Sequence, residues 1–311
     1  LKAKAAVGNA KVEVYADGNG NKSTYTINIE IRNANVPMAK ITDSEVAPGQ
    51  KWTDSFNAFG LVGTNKVSLE LSAIPPINLG ERLRYLIAYP HGCVEQTTSS
   101  VFPQLFLAKV IDLPKDQVAR TEDNVKAGIQ RLMQFQTADG GFMYWPGYYR
   151  YVDDWSTCYV GHFLLEAKKA GYSVPDQMLS KWKDYQSSAA RRWTDDTYHG
   201  YHYTELTQAY RLYTLALSGS PEMGAMNRLK EIKDLSLQAQ WRLAAAYALA
   251  GKTDVANQMV ASLPDRVPAY REWAYTYGSD LRDKAMILET LTTLDKTAQA
   301  ASIAKDLATD M

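Results

Sequence analysis

Residues 67–78 read Val-Ser-Leu-Glu-Leu-Ser-Ala-Ile-Pro-Pro-Ile-Asn, and the reading of the fold turns on them. Val67, Leu69 and Leu71 alternate with polar neighbours, the period-2 pattern of a half-buried strand, and Pro75-Pro76 stops it. From about Asn78 onward the apolar period becomes 3.6: Leu206, Tyr210, Tyr213 and Leu217 share one helical face, as do Leu281, Ala285, Leu288 and Leu291. The chain therefore reads as mainly α with an N-terminal all-β part, the β portion spanning 1–78 and the helical portion 79–311.

Upstream, Tyr25, Ile27, Ile29 and Ile31 alternate in the same way. A second strand, Val12 to Tyr15, is joined to them through Gly18-Asn19-Gly20-Asn21, a turn sequence suited to positive φ. Trp52, Phe56 and Phe59 are expected to supply a small core. Downstream, Gly171, Gly219 and Gly251 fall where helices end in a left-handed residue. Helix starts near Ser156, Thr204, Ser236 and Asp280 recur at unequal spacings of roughly 30–50 residues, which describes a loose series of helical pairs rather than a strict repeat. Such pairs bury both faces by closing into a ring or by winding into an open superhelix. The chain ends in a helix, so the β part is either complete at the N-terminus or the first part of a domain whose other strands follow Met311. With no initiator Met, the sequence reads as a fragment of something longer.

Composition narrows the function. Lys plus Arg and Asp plus Glu each number 34 in 311 residues, a balance that disfavours a phosphate-tracking protein or a polybasic membrane arm. Apolar residues at 46% suffice for a real core. No apolar run has the length of a membrane span. The two cysteines cannot build a disulfide scaffold; they make one bridge, or two thiols, or something less common.

The less common option lies at residues 89–98, Tyr-Pro-His-Gly-Cys-Val-Glu-Gln-Thr-Thr. Cys93 and Gln96 stand three apart, so a first helical turn brings their side chains together. A thiol held against a carboxamide can attack its carbonyl and expel ammonia, leaving an internal thioester with Cys93 as the thiol half and Gln96 as the acyl half. Pro90 and Gly92 suit the sharp turn that closure needs. Glu95 carries a charge that a helix N-terminus favours in any case. The plain alternative is a buried free Cys at a helix start beside an exposed Gln. The specific rival is a Cys93–Cys158 disulfide, which would consume the nucleophile. Cys158, in a helix beside Tyr159 and Phe163, is expected to be a buried, inert thiol.

The stretch from Asn78 through Leu-Gly-Glu-Arg-Leu-Arg-Tyr-Leu-Ile-Ala-Tyr-Pro-His-Gly-Cys-Val-Glu-Gln-Thr-Thr-Ser resembles the thioester region of the alpha-2-macroglobulin family, its bacterial branch in particular. Gln136 to Phe142, Trp145, Leu164 to Pro175, Gly224 to Leu229 and Asp283 to Thr290 are similar to later stretches of the same domain. The resemblance implies an α/α toroid of helical hairpins inserted into a CUB-like β-sandwich, of which residues 1–78 would be the first, incomplete part. It implies that Gly92, Glu95 and Pro90 support the Cys93–Gln96 thioester. It also implies a protease inhibitor: cleavage of a bait region elsewhere exposes the thioester, which acylates a surface nucleophile on the attacking protease. The bacterial members are typically periplasmic and often lipid-anchored. The remaining macroglobulin-like domains of the parent chain would be partners, and nucleic acid would not.

Residues 142–159 hold eight aromatics, Phe142, Tyr144, Trp145, Tyr148, Tyr149, Tyr151, Trp155 and Tyr159, able to keep water from an activated ester. Tyr144 and Trp145 are thus candidate modulators, alongside His91, which adjoins the motif. His199 and His202 are also candidates, since in complement relatives a distal His attacks the thioester, although no motif assigns either one. His162 reads as a satisfied core histidine. No cofactor or metal is expected: there is no His-Glu-x-x-His, and His199 with His202 and two distant Cys make a poor ligand set. A trap of this kind turns over once and is not an enzyme. Two other readings remain open. One is an α/α-toroid enzyme of the terpene cyclase or prenyltransferase type, suggested by Gln136-x-x-Asp139-Gly-Gly-Phe142 and by Asp153-Asp154 as an acid or metal pair. The other is a helical-array binding module with an accidental motif.

Overall fold

Asn19 (φ 50°) and Gly20 (φ 79°) both take left-handed backbone, which gives the two-residue turn the twist that flanking strands need. Around it β1 (Gly8–Gly18) folds back antiparallel on β2 (Asn21–Ile31), with Ala10 opposite Ile29, Val12 opposite Ile27 and Val14 opposite Tyr25. The apolar residues of both strands therefore share one face, as the alternation requires. They stay exposed, however: Val14 is 51% and Tyr25 67% accessible. Trp52, Phe56 and Phe59 are exposed as well rather than forming a small core, and Val67 and Leu69 lie on irregular chain rather than a strand. A two-stranded ribbon is a single layer, and burial needs a second layer against it.

The computed structural model describes residues 8–31, 38–42, 44–47, 49–60, 62–69, 71, 86–147, 151–195, 203–273 and 275–310. The Pro75-Pro76 stop lies outside them. The chain divides into two units, Leu1–Leu71 and Ser72–Met311.

The second unit is helical: α1 (Val94–Val101), α2 (Leu107–Val110), α3 (Lys115–Leu132), α4 (Asp154–Lys169), α5 (Asp176–Arg192), α6 (Tyr203–Leu217), α7 (Met223–Lys230), α8 (Leu237–Leu249), α9 (Thr253–Val260), α10 (Asp280–Thr293) and α11 (Thr297–Asp310). Short 3₁₀ turns sit at Pro103–Leu105 and Met133–Phe135. Helices α1, α4, α6, α8 and α10 pack in succession, each against the next. Outside them α3 covers α1, α5 covers α4 and α6, α7 covers α6 and α8, α9 covers α8, and α11 covers α10. This alternation of inner and outer helices is an α/α toroid, the closed solution to burying both faces of a helical pair.

Burial follows position in the ring. Inner α8 buries Trp241 and every residue from Arg242 to Tyr247, a helix apolar nearly all round. Outer α3 and α5 keep one buried stripe each. The inner–outer contact between α4 and α5 is close at one point: a Cβ on Gly161 would lie 2.1 Å from the Trp182 indole, whose Nε1 donates to the Thr157 carbonyl at 2.9 Å. Helices α4, α6 and α8 end as their glycines foretell. Gly171, Gly219 and Gly251 are left-handed, and the residue after each donates back five positions, as Tyr172 does to the Ala167 carbonyl at 3.0 Å.

Polar side chains lace the inner helices together. His162 on α4 bonds the Tyr210 hydroxyl on α6 at 2.9 Å, and Arg242 on α8 pairs with Glu289 on α10 while lying over the Tyr213 ring. His162 is buried and partnered, as read from its apolar helix.

Candidate functional site

The site grows from the N-terminus of α1. Cys93 is the N-cap residue, its backbone extended, and its sulfur accepts from the Gln96 N–H at 3.4 Å. The Gln96 side chain returns the bond: its Oε1 accepts from the Cys93 N–H at 3.1 Å. The two residues thus form a reciprocal capping box in which a thiol takes the place of the usual hydroxyl. Spacing of three put them on one turn; the cap geometry folds the carboxamide back over the thiol. Cys93 is 1% accessible, whereas Gln96 is exposed. The thiol is therefore hidden and the carboxamide side chain is exposed.

The turn before the helix shapes this pair. Gly92 takes φ 92°, and a Cβ there would lie 2.1 Å from the Gln96 Oε1, so both backbone and space exclude a side chain. Pro90 is buried at the head of the turn. His91 is exposed, and its Nδ1 lies 2.9 Å from the Tyr89 carbonyl. Glu95 accepts from the Ser99 hydroxyl at 2.6 Å, and that hydroxyl also reaches Tyr159 on α4 at 3.3 Å.

Two neighbouring elements grip the turn. Arg131 reaches from the last turn of α3, Nη2 donating to the Gly92 carbonyl at 2.8 Å and Nε to the Thr97 hydroxyl at 3.2 Å, with its guanidinium over Phe135. From the chain after the second 3₁₀ turn, the Tyr144 carbonyl accepts from the Val94 N–H at 3.1 Å. The Tyr144 hydroxyl lies 2.8 Å from the Tyr277 hydroxyl. Burial first, then the neighbouring Cys93 and Tyr277 side chains, hold the Tyr144 phenol well above its ordinary range, so it stays neutral. Trp145 is 45% accessible and stands edge-on to Tyr144.

The structure therefore brings Cys93, Gln96, Gly92, Pro90, Glu95, Tyr144 and Trp145 into one neighbourhood. His199, His202, Tyr148 and Tyr149 lie outside the described residues. Among the other aromatics, Phe142 is fully buried in the core and Tyr151 is exposed, so the cluster does not act as one surface. Arg131 and Tyr277 were not singled out from the sequence. Arg131 lies in an ordinary amphipathic helix. Tyr277 arrives from the loop before α10, and only its company in Tyr275-Thr-Tyr277-Gly-Ser hinted at an unusual loop.

The competing chemistries find their residues otherwise engaged. Cys93 and Cys158 are both free thiols. Burial pushes the Cys158 thiol up to about 12, and Gln186 donates to its sulfur at 3.2 Å, the state of an inert core residue. Asp153 caps α4 by accepting from the Ser156 N–H at 2.7 Å, and Asp154 pairs with Arg211 at 2.8 Å. Gln136 and Gly140 form a docking turn. The Gln136 amide donates to the Met178 carbonyl on α5 at 2.9 Å, and a Cβ on Gly140 would meet the Lys181 carbonyl. No cluster of three or more His, Cys, Asp or Glu suited to a metal occurs among the described residues.

Comparison with known proteins agrees with this geometry. The family described as the A-macroglobulin TED domain matches residues 67–193. The alpha-2-macroglobulin of Escherichia coli K12 is 30% identical over 265 residues, which is 78% of this chain and 16% of that protein. Among solved structures, Salmonella alpha-2-macroglobulin reacted with methylamine superposes with a TM-score of 0.65 at 24% identity, over 98% of this chain and 21% of that one. Trypsin-activated alpha-2-macroglobulin from Escherichia coli gives 0.63 at 25% identity, over 98% and 22%. The chain thus spans about a sixth of the length of the curated relative it matches.

Proposed function

Because the chain belongs to the alpha-2-macroglobulin family and carries its TED domain, we propose that Cys93 and Gln96 form an internal thioester through which the parent protein traps proteases. The observation that carries this reading is the reciprocal cap of Cys93 and Gln96, closed over a left-handed Gly92 that leaves room for nothing else.

In the first step the Cys93 sulfur attacks the Gln96 carbonyl carbon. A C–S bond forms, the C–N bond breaks, and ammonia leaves. In the second, a lysine amine of the target attacks the same carbon. The new bond is an amide, the electron pair of the C–S bond goes to sulfur, and the amine proton passes to the thiolate or to solvent, restoring a free thiol. Gln96 is exposed while Cys93 is hidden, which suits an acyl group that meets a macromolecular nucleophile and a leaving group that does not. The reaction occurs once per molecule, so the protein inhibits rather than catalyses. Its partners are proteases, as trypsin is for the Escherichia coli relative named above, together with other domains of the parent. A periplasmic parent, with a lipid anchor as one means of retention, is part of the same proposal and rests on the family resemblance alone. Neither step calls for a cofactor or metal.

Peptide-level mass spectrometry of the purified chain, with and without methylamine and with free thiols alkylated, tests the reading. A Cys93–Gln96 peptide lighter by one ammonia, which gains methylamine at Gln96 and releases an alkylatable Cys93, is the expected result. Glu at position 96 would mark a thioester formed and then hydrolysed. An unchanged Gln96 beside a free Cys93 would overturn thioester formation in this chain.

A further inference from the structure

We infer that Arg131 is a positioning residue for acyl transfer at Gln96: it orients the Gly92–Cys93 peptide so that the Cys93 N–H faces the Gln96 oxygen and meets the charge that develops there. The inference deepens the thioester reading and rests on it for its purpose, though not for its geometry.

One peptide group carries both contacts. The Gly92 carbonyl accepts from Arg131 Nη2 at 2.8 Å, and the N–H of the same peptide, that of Cys93, donates to Gln96 Oε1 at 3.1 Å. The peptide is trans, so its C=O and N–H point in opposite directions. Holding one end therefore aims the other. The oxygen is also seated against this peptide, since it is the atom nearest to the place of the absent Gly92 Cβ.

The peptide has little preference of its own. Glycine leaves the backbone before it free, so the plane could turn over and present its carbonyl to Gln96 instead. Arg131 opposes that reversal. A guanidinium holds only donors, and a reversed peptide would set an N–H against it. The guanidinium is fixed in turn by its Nε, which donates to the fully buried Thr97 hydroxyl at 3.2 Å, and by its place over the Phe135 ring. Its two acceptors belong to the residue just before Cys93 and the residue just after Gln96, so they bracket the pair.

The chemistry proposed above needs such a donor twice. When the Cys93 sulfur attacks the Gln96 carbonyl carbon, the π pair of the C=O bond moves to Oε1. It returns as the C–N bond breaks and ammonia leaves with the thiol proton. When a target amine attacks the thioester, the pair moves to the same oxygen and returns as the C–S pair goes to sulfur. In both steps the negative oxygen lies within reach of the Cys93 N–H, a donor in place before the reaction begins. The positive charge at the other end of the peptide polarises it and strengthens that N–H.

The chain has only two cysteines. Isotopic labelling of the cysteine amide nitrogens therefore gives two magnetic-resonance signals, Cys93 at the site and Cys158, buried on α4, as an internal reference. These signals and the rate of methylamine uptake at Gln96 are measured in the unaltered chain, in Arg131→Met, and in Arg131→Lys, which is milder for the fold but cannot span both acceptors. In Arg131→Met the Cys93 amide proton should move upfield and exchange with solvent about tenfold faster, with Cys158 unmoved. Methylamine uptake should slow by about tenfold, less than on loss of a direct oxyanion donor, because Arg131 acts through one. Arg131→Lys should change both readouts in the same direction, and it decides the matter where Arg131→Met does not fold. A Cys93 signal that stays in place would overturn the inference. Equal displacement of Cys93 and Cys158 would assign Arg131 to general stability and overturn it too, as would a displaced Cys93 signal with unchanged uptake. Absence of uptake in the unaltered chain would refute the thioester, while the Cys93 signal would still decide whether Arg131 sets the peptide.

Discussion

At Gly92 the left-handed backbone and the carboxamide of Gln96 occupy the space that any side chain would need. A glycine in such a turn is common; one whose missing Cβ is replaced by the carboxamide proposed to react is not a matter of turn chemistry alone. Gly92→Ala therefore combines a backbone penalty of about 1–2 kcal/mol with displacement of the acyl group from the thiol. The expected outcome is a modest loss of stability in denaturant melts together with abolition of methylamine incorporation at Gln96. Full incorporation in that variant would show that the cap geometry is not the reactive geometry. Arg131 belongs to the same scale. Two of its nitrogens hold the turn and the helix that follows it in a fixed relation, an arrangement that Lys, with a single charged nitrogen, does not reproduce.

Among the helices, α4 supports the site from one side and is itself held by its contact with α5. Helix α4 carries the Asp153 cap and Tyr159, and it packs on α1. Its approach to α5 is set by Gly161 lying flat against the Trp182 indole. Gly161→Ala would put a methyl 2.1 Å from that ring, and neither the fully buried Trp182 nor the inner helix has anywhere to move. Overpacking of this kind costs about 1–3 kcal/mol, so the thermal midpoint should fall by several degrees. An unchanged midpoint would mean that the indole turns aside freely. The 3.6-residue period made these helices legible from the chain, and the Schellman endings at Gly171, Gly219 and Gly251 made their stops legible. Which glycine was a stop and which a contact was not, because both look alike in sequence.

Across the whole ring, stability is tied to pH through buried polar pairs between inner helices. Burial holds the His162 imidazole down at about 4, against the opposing pull of Glu289. Burial alone would raise the Glu289 carboxyl, but Arg242 and then His162 hold it at about 2. Both groups have folded values below their ordinary ones, so in each case the unfolded chain binds protons first as pH falls. Stability is then fully present above the ordinary value and is lost on the way down to the folded one. For His162 that window runs from 6.5 to about 4, and the complete shift is worth on the order of 3 kcal/mol. Stability in urea should accordingly decline from pH 6.5 downward, and His162→Gln should flatten the decline between pH 6.5 and 4. A parallel slope in that variant would assign the dependence to other groups.

Local sequence determined the elements and the pairing of Cys93 with Gln96. The Asn19-Gly20 turn, the glycine stops, and Cys93 three residues before Gln96 each depend on interactions within a few residues of chain, and such interactions read directly. The apolar face of Tyr25, Ile27 and Ile29 read correctly as a face, but its exposure did not, because burial belongs to whatever lies opposite rather than to the strand itself. Tertiary structure alone decided that Arg131 clamps the turn, that Asp153 and Asp154 serve as cap and ion pair, and that the loop before α10 delivers Tyr277 to Tyr144. These contacts join residues far apart in the chain, and only packing of the helices into a ring, an outcome of the summed apolar burial of all of them, sets which distant side chains meet.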